Sequence, residues 1–194
     1  MKKTLWNKNV MSFVASFLLL FNIFFVSAIF PISQSEAEDT IKSVIETSPK
    51  APEEKLDQDL PIVERLSTVG GSQDYRQFVL KLLGQNLFVM GLSSVPFVGI
   101  IVASIAQFEN GRGAAAFASA ESIPQPVFIL ILYAAPPFWM ELLAFSTVTS
   151  VSLLMIINRK SWREEIRKLP KAVTISTTLL VIAAVYETVI IASL

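Results

Sequence analysis

Four apolar runs punctuate the chain: Val10–Ile32, Leu82–Phe108, Val127–Ile157 and Ala172–Leu194. At a rise of about 1.5 Å per residue each can cross a hydrocarbon layer about 30 Å thick. The first follows Lys2, Lys3 and Lys8, and its Val26-Ser27-Ala28 has the small residues of a signal-peptide cleavage site. Its apolar stretch exceeds the usual signal core, which favours an uncleaved span. Either way the next segment lies across the membrane. The second run holds Pro96 and Gly99, where a kink is expected. Its Gly91, Ser93, Ser94 and Ser104 let neighbouring helices approach. The third carries one ionisable side chain, Glu141, and a Pro136-Pro137 pair near its middle. As one helix it would be about 47 Å long, more than a crossing needs. The fourth has one ionisable residue, Glu187, close to its outer boundary.

The polar intervals differ sharply in charge. Ser33–Arg76 carries ten acids and five bases. Ser35 and Glu38 read as a capping box for a helix reaching about Glu46. Ser48–Pro52 reads as a linker, and a second helix opens at Pro52 and stops at Gly70-Gly71. Leu56, Leu60, Val63 and Leu66 fall at helical spacing within it, with Pro61 as a kink. Two readings stand here, a solvated loop with short helices and a docking surface for a partner. Glu109–Pro126 reads as a loop turning at Asn110-Gly111, with short helical potential at Ala114–Ala118. Asn158–Lys171 is basic, with Arg159, Lys160, Arg163, Arg167, Lys168 and Lys171 against Glu164 and Glu165. Trp162, Ile166 and Leu169 share a helical face there, the pattern of a helix lying in the lipid interface. Apolar runs tether that stretch at both ends, which argues against a nucleic-acid partner.

Basic loops stay cytoplasmic. The N-terminus and the Arg159–Lys171 loop both qualify, so an even number of crossings separates them. Three apolar runs lie between, so one must cross twice or one must re-enter on the same side. Val127–Ile157 is overlong and split by its prolines, so the double crossing is assigned there. A third helix ends at Ala135, and a fourth runs from about Phe138 to Ile157. The expectation is an all-α, polytopic helical membrane protein with about five segments and a proline-broken third and fourth pair. Three regions result: an N-terminal anchor over 1–32, an acidic extracytoplasmic segment over 33–76, and a helical core over 77–194. The N-terminus is cytoplasmic and the C-terminus extracytoplasmic, in the cell membrane.

Composition narrows the chemistry. The chain has no cysteine and no histidine. Thiolate nucleophiles, disulfides and the commonest metal ligand are therefore excluded. No lysine lies inside an apolar run for a Ser–Lys pair, and no carboxylate cluster supplies a metal site. No catalytic residues, metal or cofactor are expected. Glu141 and Glu187 are the intramembrane candidates, since an ionisable group at membrane depth is costly. Glu141 would lie in the first turn after the break, where unpaired amides and the helix dipole favour a carboxylate. Tyr133, Phe138 and Trp139 read as interfacial anchors beside that break.

Leu132–Glu141 holds Pro136 with a glutamate five residues on, and in this it resembles the stage II sporulation protein M family of integral membrane proteins. That family's Pro-His-Gly turn has Pro137 and Phe138 in place of its histidine and glycine here. Gln85-Asn86-Leu87, leading to Asn110-Gly111, and Ala183–Glu187 are similar as well. The resemblance implies a largely helical, roughly five-span protein without known catalysis, a membrane component of an envelope complex. Glu141, Glu187, Pro136, Pro137, Asn86, Asn110 and Gly111 are the positions it marks. The expected function is thus a non-enzymatic scaffold or accessory subunit, with lipid bilayer and other membrane or extracytoplasmic proteins as partners, the latter through 33–76. The alternative is a transporter or channel component using Glu141 and Glu187, for which so few spans would call for an oligomer.

Overall fold

The computed structural model describes residues 2–30, 32–33, 35–37, 39–40 and 72–193. Among these the regular elements are all helical: α1 (Lys2–Ile29), α2 (Ser72–Ser93), α3 (Val98–Ala120), α4 (Gln125–Ala134), α5 (Pro136–Ile157), α6 (Trp162–Ile166) and α7 (Leu169–Ser193). A 3₁₀ turn at Arg159–Ser161 leads into α6. Three stretches are long and apolar enough to cross a membrane: Lys8–Ile29, Pro136–Ile157 and Leu169–Tyr186. The expected count of about five is therefore approximate, with the more polar α2 and α3 packed beside these three.

The hub is α5. Of its apolar window 61% is buried, against 33% in α1 and 28% in α7. Leu142, Ala144, Phe145 and Val148 of α5 form one core with Leu20, Met90, Ala103 and Leu180. Every long helix thus contributes to a single interior.

Contacts between the ends fix the direction of each helix. Ser12 donates to the Ser150 carbonyl (2.8 Å), while the Phe24 ring packs at a tilt against Phe138, so α1 runs antiparallel to α5. Asn86 meets Glu141 near the start of α5, and Ser152 near its end donates to the Val95 carbonyl, so α2 runs parallel to α5. The next helix, α3, then returns, bringing Gly111 against Ser27 and Phe24. Lys168 beside Asn9 puts the start of α7 at the N-terminal end of α1.

The chain therefore reverses direction within Leu82–Phe108, not within Val127–Ile157. The expected kink at Pro96 is a full reversal. Val98 N donates to Pro96 O (2.8 Å) across Phe97, whose φ of 66° and ψ of −51° make a γ-turn, a strained conformation for a residue with a Cβ. Gly99 lets α3 begin against α2, because a Cβ there would overlap the Ser93 carbonyl. The break at Pro136 is present, but α4 and α5 touch only around it. A helix that doubled back would pair along its length. Val127–Ile157 instead runs in one direction, interrupted at Pro136.

Glu109–Pro126 also departs from its expected loop. The third helix runs through Asn110-Gly111 to Ala120. Gly111 serves close packing, since a Cβ would collide with Ser27 and the Phe24 carbonyl. The helix stops instead at Ser122, which takes a φ of 53° while Ile123 N donates to Ala118 O and Ser122 N to Ser119 O, the Schellman pattern. Beyond α1, the cap is Ser33 and not Ser35: its Oγ accepts from Glu36 N (3.2 Å). The helix expected to open at Pro52 lies outside the described residues, as does the whole Ser48–Pro52 linker before it.

Candidate functional site

The break between α4 and α5 is built by local chemistry. Ala135 is extended, with φ −85° and ψ 118°, as a residue preceding proline prefers. Pro136 and Pro137 then occupy the first two helical positions, where their missing amides cost nothing. The carbonyls freed at the end of α4 find donors. Ala135 N donates to Leu132 O (3.0 Å), and the Trp139 indole Nε1 donates to Tyr133 O (2.7 Å). Trp139 and Tyr133 are thus parts of the break itself. Phe17 and Phe21 stack on Trp139, and Phe21 and Phe25 on Tyr133, clamping the break to α1.

Glu141 does not occupy the first turn. It is the sixth residue of α5, and no acid lies in that turn. The helix dipole falls off beyond that turn and favours this carboxylate less than expected. Asn86 holds it: its Nδ2 donates to Glu141 Oε1 at 2.9 Å, with Glu141 half-buried. Two residues singled out in the sequence for separate reasons are therefore one pair, joining α2 to α5 one turn below the break. Of the other candidates, Asn110 is exposed and Gly111 is a packing contact. The Glu187 side chain lies outside the described residues.

A row of hydroxyls escaped notice in the sequence. Ser12, Ser152 and Ser176 each bond a backbone carbonyl of another element: Ser150 O, Val95 O and Ala144 O. These bonds tie α5 to α1, to the α2–α3 turn and to α7. The signal was the Ser/Thr density of Phe145–Ser152 inside an apolar run, since such side chains link helices in lipid. Two further hydroxyls, Ser16 Oγ and Thr149 Oγ1, are buried without a hydrogen-bond partner.

The basic loop is shorter in helix than expected. Trp162 and Ile166 are exposed on α6, but Leu169 begins α7 and packs into the interior, so the three do not form one stripe. Lys168 turns inward. Its Nζ lies 2.6 Å from Glu165 Oε2 and 3.0 Å from Asn9 Oδ1, while Asn158 Nδ2 reaches Glu165 Oε1 at 3.0 Å. Glu165 is only 1% exposed. At the other end Arg112 pairs with Glu36 and donates to Phe30 O (3.2 Å), fixing the chain as it leaves α1.

Among the described residues no group of three His, Cys, Asp or Glu is placed to hold a metal ion. Compared with known proteins, the chain matches no family model, no curated protein and no solved structure.

Proposed function

We propose that the chain is a non-enzymatic membrane scaffold or accessory subunit of an envelope complex, similar in kind to the stage II sporulation protein M family. In this reading it sits in the cell membrane with the basic end cytoplasmic and the C-terminus outside. The Asn86–Glu141 hydrogen bond carries the proposal. A half-buried carboxylate held by a side-chain amide is a joint between helices, and it sits where the resemblance places the glutamate. Ser152 of α5 likewise fastens helices, through the Val95 carbonyl. Partners would meet the acidic 33–76 segment, whose departure from α1 is fixed by Arg112. Purification in mild detergent should bring partners along, and deletion of 33–76 should release them. Isolation of the protein alone, fully functional after that deletion, would overturn the proposal.

A transport reading draws on one observation, the unpartnered hydroxyls of Ser16 and Thr149. They lie within about a turn of the Ser12–Ser150 bond and could face a passing solute. Solute flux into reconstituted vesicles that disappears with Glu141→Gln would favour it. Intact assembly and no flux would leave the scaffold.

A further inference from the structure

We propose that the basic end of the bundle is a binding surface for anionic phospholipid headgroups, selective for them over zwitterionic ones. The surface is assembled from three separated parts of the chain. The Lys168–Asn9 hydrogen bond brings the N-terminal part of α1 to the loop after α5. The Arg159 guanidinium lies over the Phe97 ring, 5.5 Å from its centroid, which brings in the α2–α3 turn.

Burial decides which charges this end presents. Lys8, Arg159, Lys160, Arg163, Arg167 and Lys171 are all exposed. The sequence sets two acids against the loop's bases, but Glu165 is buried and already paired with Lys168. Glu164 is then the only exposed acid in Asn158–Lys171. Five exposed cations of the loop therefore face one exposed acid, with Lys8 of α1 beside them. Arginine suits such a role, since its planar fork binds phosphate in a bidentate manner.

Apolar exposure selects the occupant. Phe97 (54%), Ile157 (61%), Trp162 (48%) and Ile166 (41%) are exposed among these cations. On α6, Trp162 and Ile166 lie one turn apart, and Arg163 and Arg167 follow on the adjacent face. An acidic soluble protein or a nucleic acid would neutralise the charges. A phospholipid also covers the apolar side chains with its acyl region while its phosphate meets the arginines. The surface continues directly from helices apolar enough to cross a membrane, so it lies at the depth where both parts of a lipid are present. This inference is independent of which protein, if any, meets the acidic segment.

The test uses the full chain, reconstituted in vesicles holding equal amounts of phosphatidylglycerol and phosphatidylcholine, then extracted and weighed with its retained lipids by native mass spectrometry. The wild type should retain phosphatidylglycerol in preference. Each cation removed should lower that preference about fivefold. The combined Lys160→Gln, Arg163→Gln and Arg167→Gln variant should therefore lose it by roughly a hundredfold. Glu164→Gln changes one charge in the opposite sense and should raise it about fivefold, which no loss of folding would imitate. Lys81→Gln, on exposed α2 away from this end, should change nothing. Equal retention of both lipids by the wild type would overturn the proposal. So would a triple variant that still selects phosphatidylglycerol, or full displacement of the lipid by soluble glycerol phosphate.

Discussion

At the residue scale, identical residue types do opposite things according to their surroundings. Nothing lies within 4 Å of a Cβ built at Gly84 or Gly91, whereas one at Gly111 meets Ser27 and the backbone of Phe24. Gly84→Ala and Gly91→Ala should therefore stabilise the fold by about 0.5–1 kcal/mol through helix propensity. Gly111→Ala should destabilise it by roughly 1–3 kcal/mol, because backbone cannot yield as a side-chain tip can. Unfolding curves in mild detergent compare the three directly. Glu141 allows a similar contrast. Glu141→Gln keeps an acceptor for Asn86 and should cost little, while Glu141→Ala leaves that amide without its partner and should cost about 1–3 kcal/mol. Equal losses for both would show that the charge, not the hydrogen bond, matters. The importance of Glu141 was legible in the sequence, because an acid in an apolar run stands out. Its partner was not, because Asn86 lies 55 residues away and only packing decides which polar groups meet.

At the element scale, helix ends obeyed some local signals and ignored others. Pro136-Pro137 set the start of α5 as proline chemistry requires, since each ring fixes φ and removes a donor. Asn110-Gly111 had the composition of a turn yet lies inside α3. Packing against α1 outweighed a local turn preference worth no more than about 1 kcal/mol. Ser122 then closes the helix in a left-handed conformation that glycine adopts more readily. Ser122→Gly should accordingly raise stability by about 1 kcal/mol, measured by the same unfolding curves. The reversal at Phe97 carries the largest departure from the sequence reading. The chain has no cysteine, so single introduced cysteines report it cleanly. With membrane-impermeant reagents in oriented vesicles, Phe97→Cys and Arg163→Cys should react from one side and Ser122→Cys from the other. Reaction of Phe97→Cys from the side of Ser122→Cys would refute the hairpin.

At the scale of the whole molecule, the bundle is closed at its basic end by a buried cluster. Glu165, Lys168, Asn158 and Asn9 join the loop after α5 to α1. Glu165→Leu strands the polar groups around it. It should lower stability by about 1–3 kcal/mol, moderated because the Lys168 side chain is 36% exposed and can reach water. That variant should also loosen the N-terminal part of α1, read as faster amide exchange at Lys8 and Asn9. No change at those amides would mean the cluster does not couple the two segments. The sequence alone determined the helical class, the apolar runs, the break at Pro136 and the segregation of charge along the chain. Those follow from hydropathy, proline geometry and charge, which are properties of neighbours along the chain. Tertiary structure alone decided which apolar run reverses, which amide meets Glu141 and which acid leaves the surface. Each of these depends on what a side chain faces across the bundle, and burial against a distant helix outweighs local preferences of about a kilocalorie.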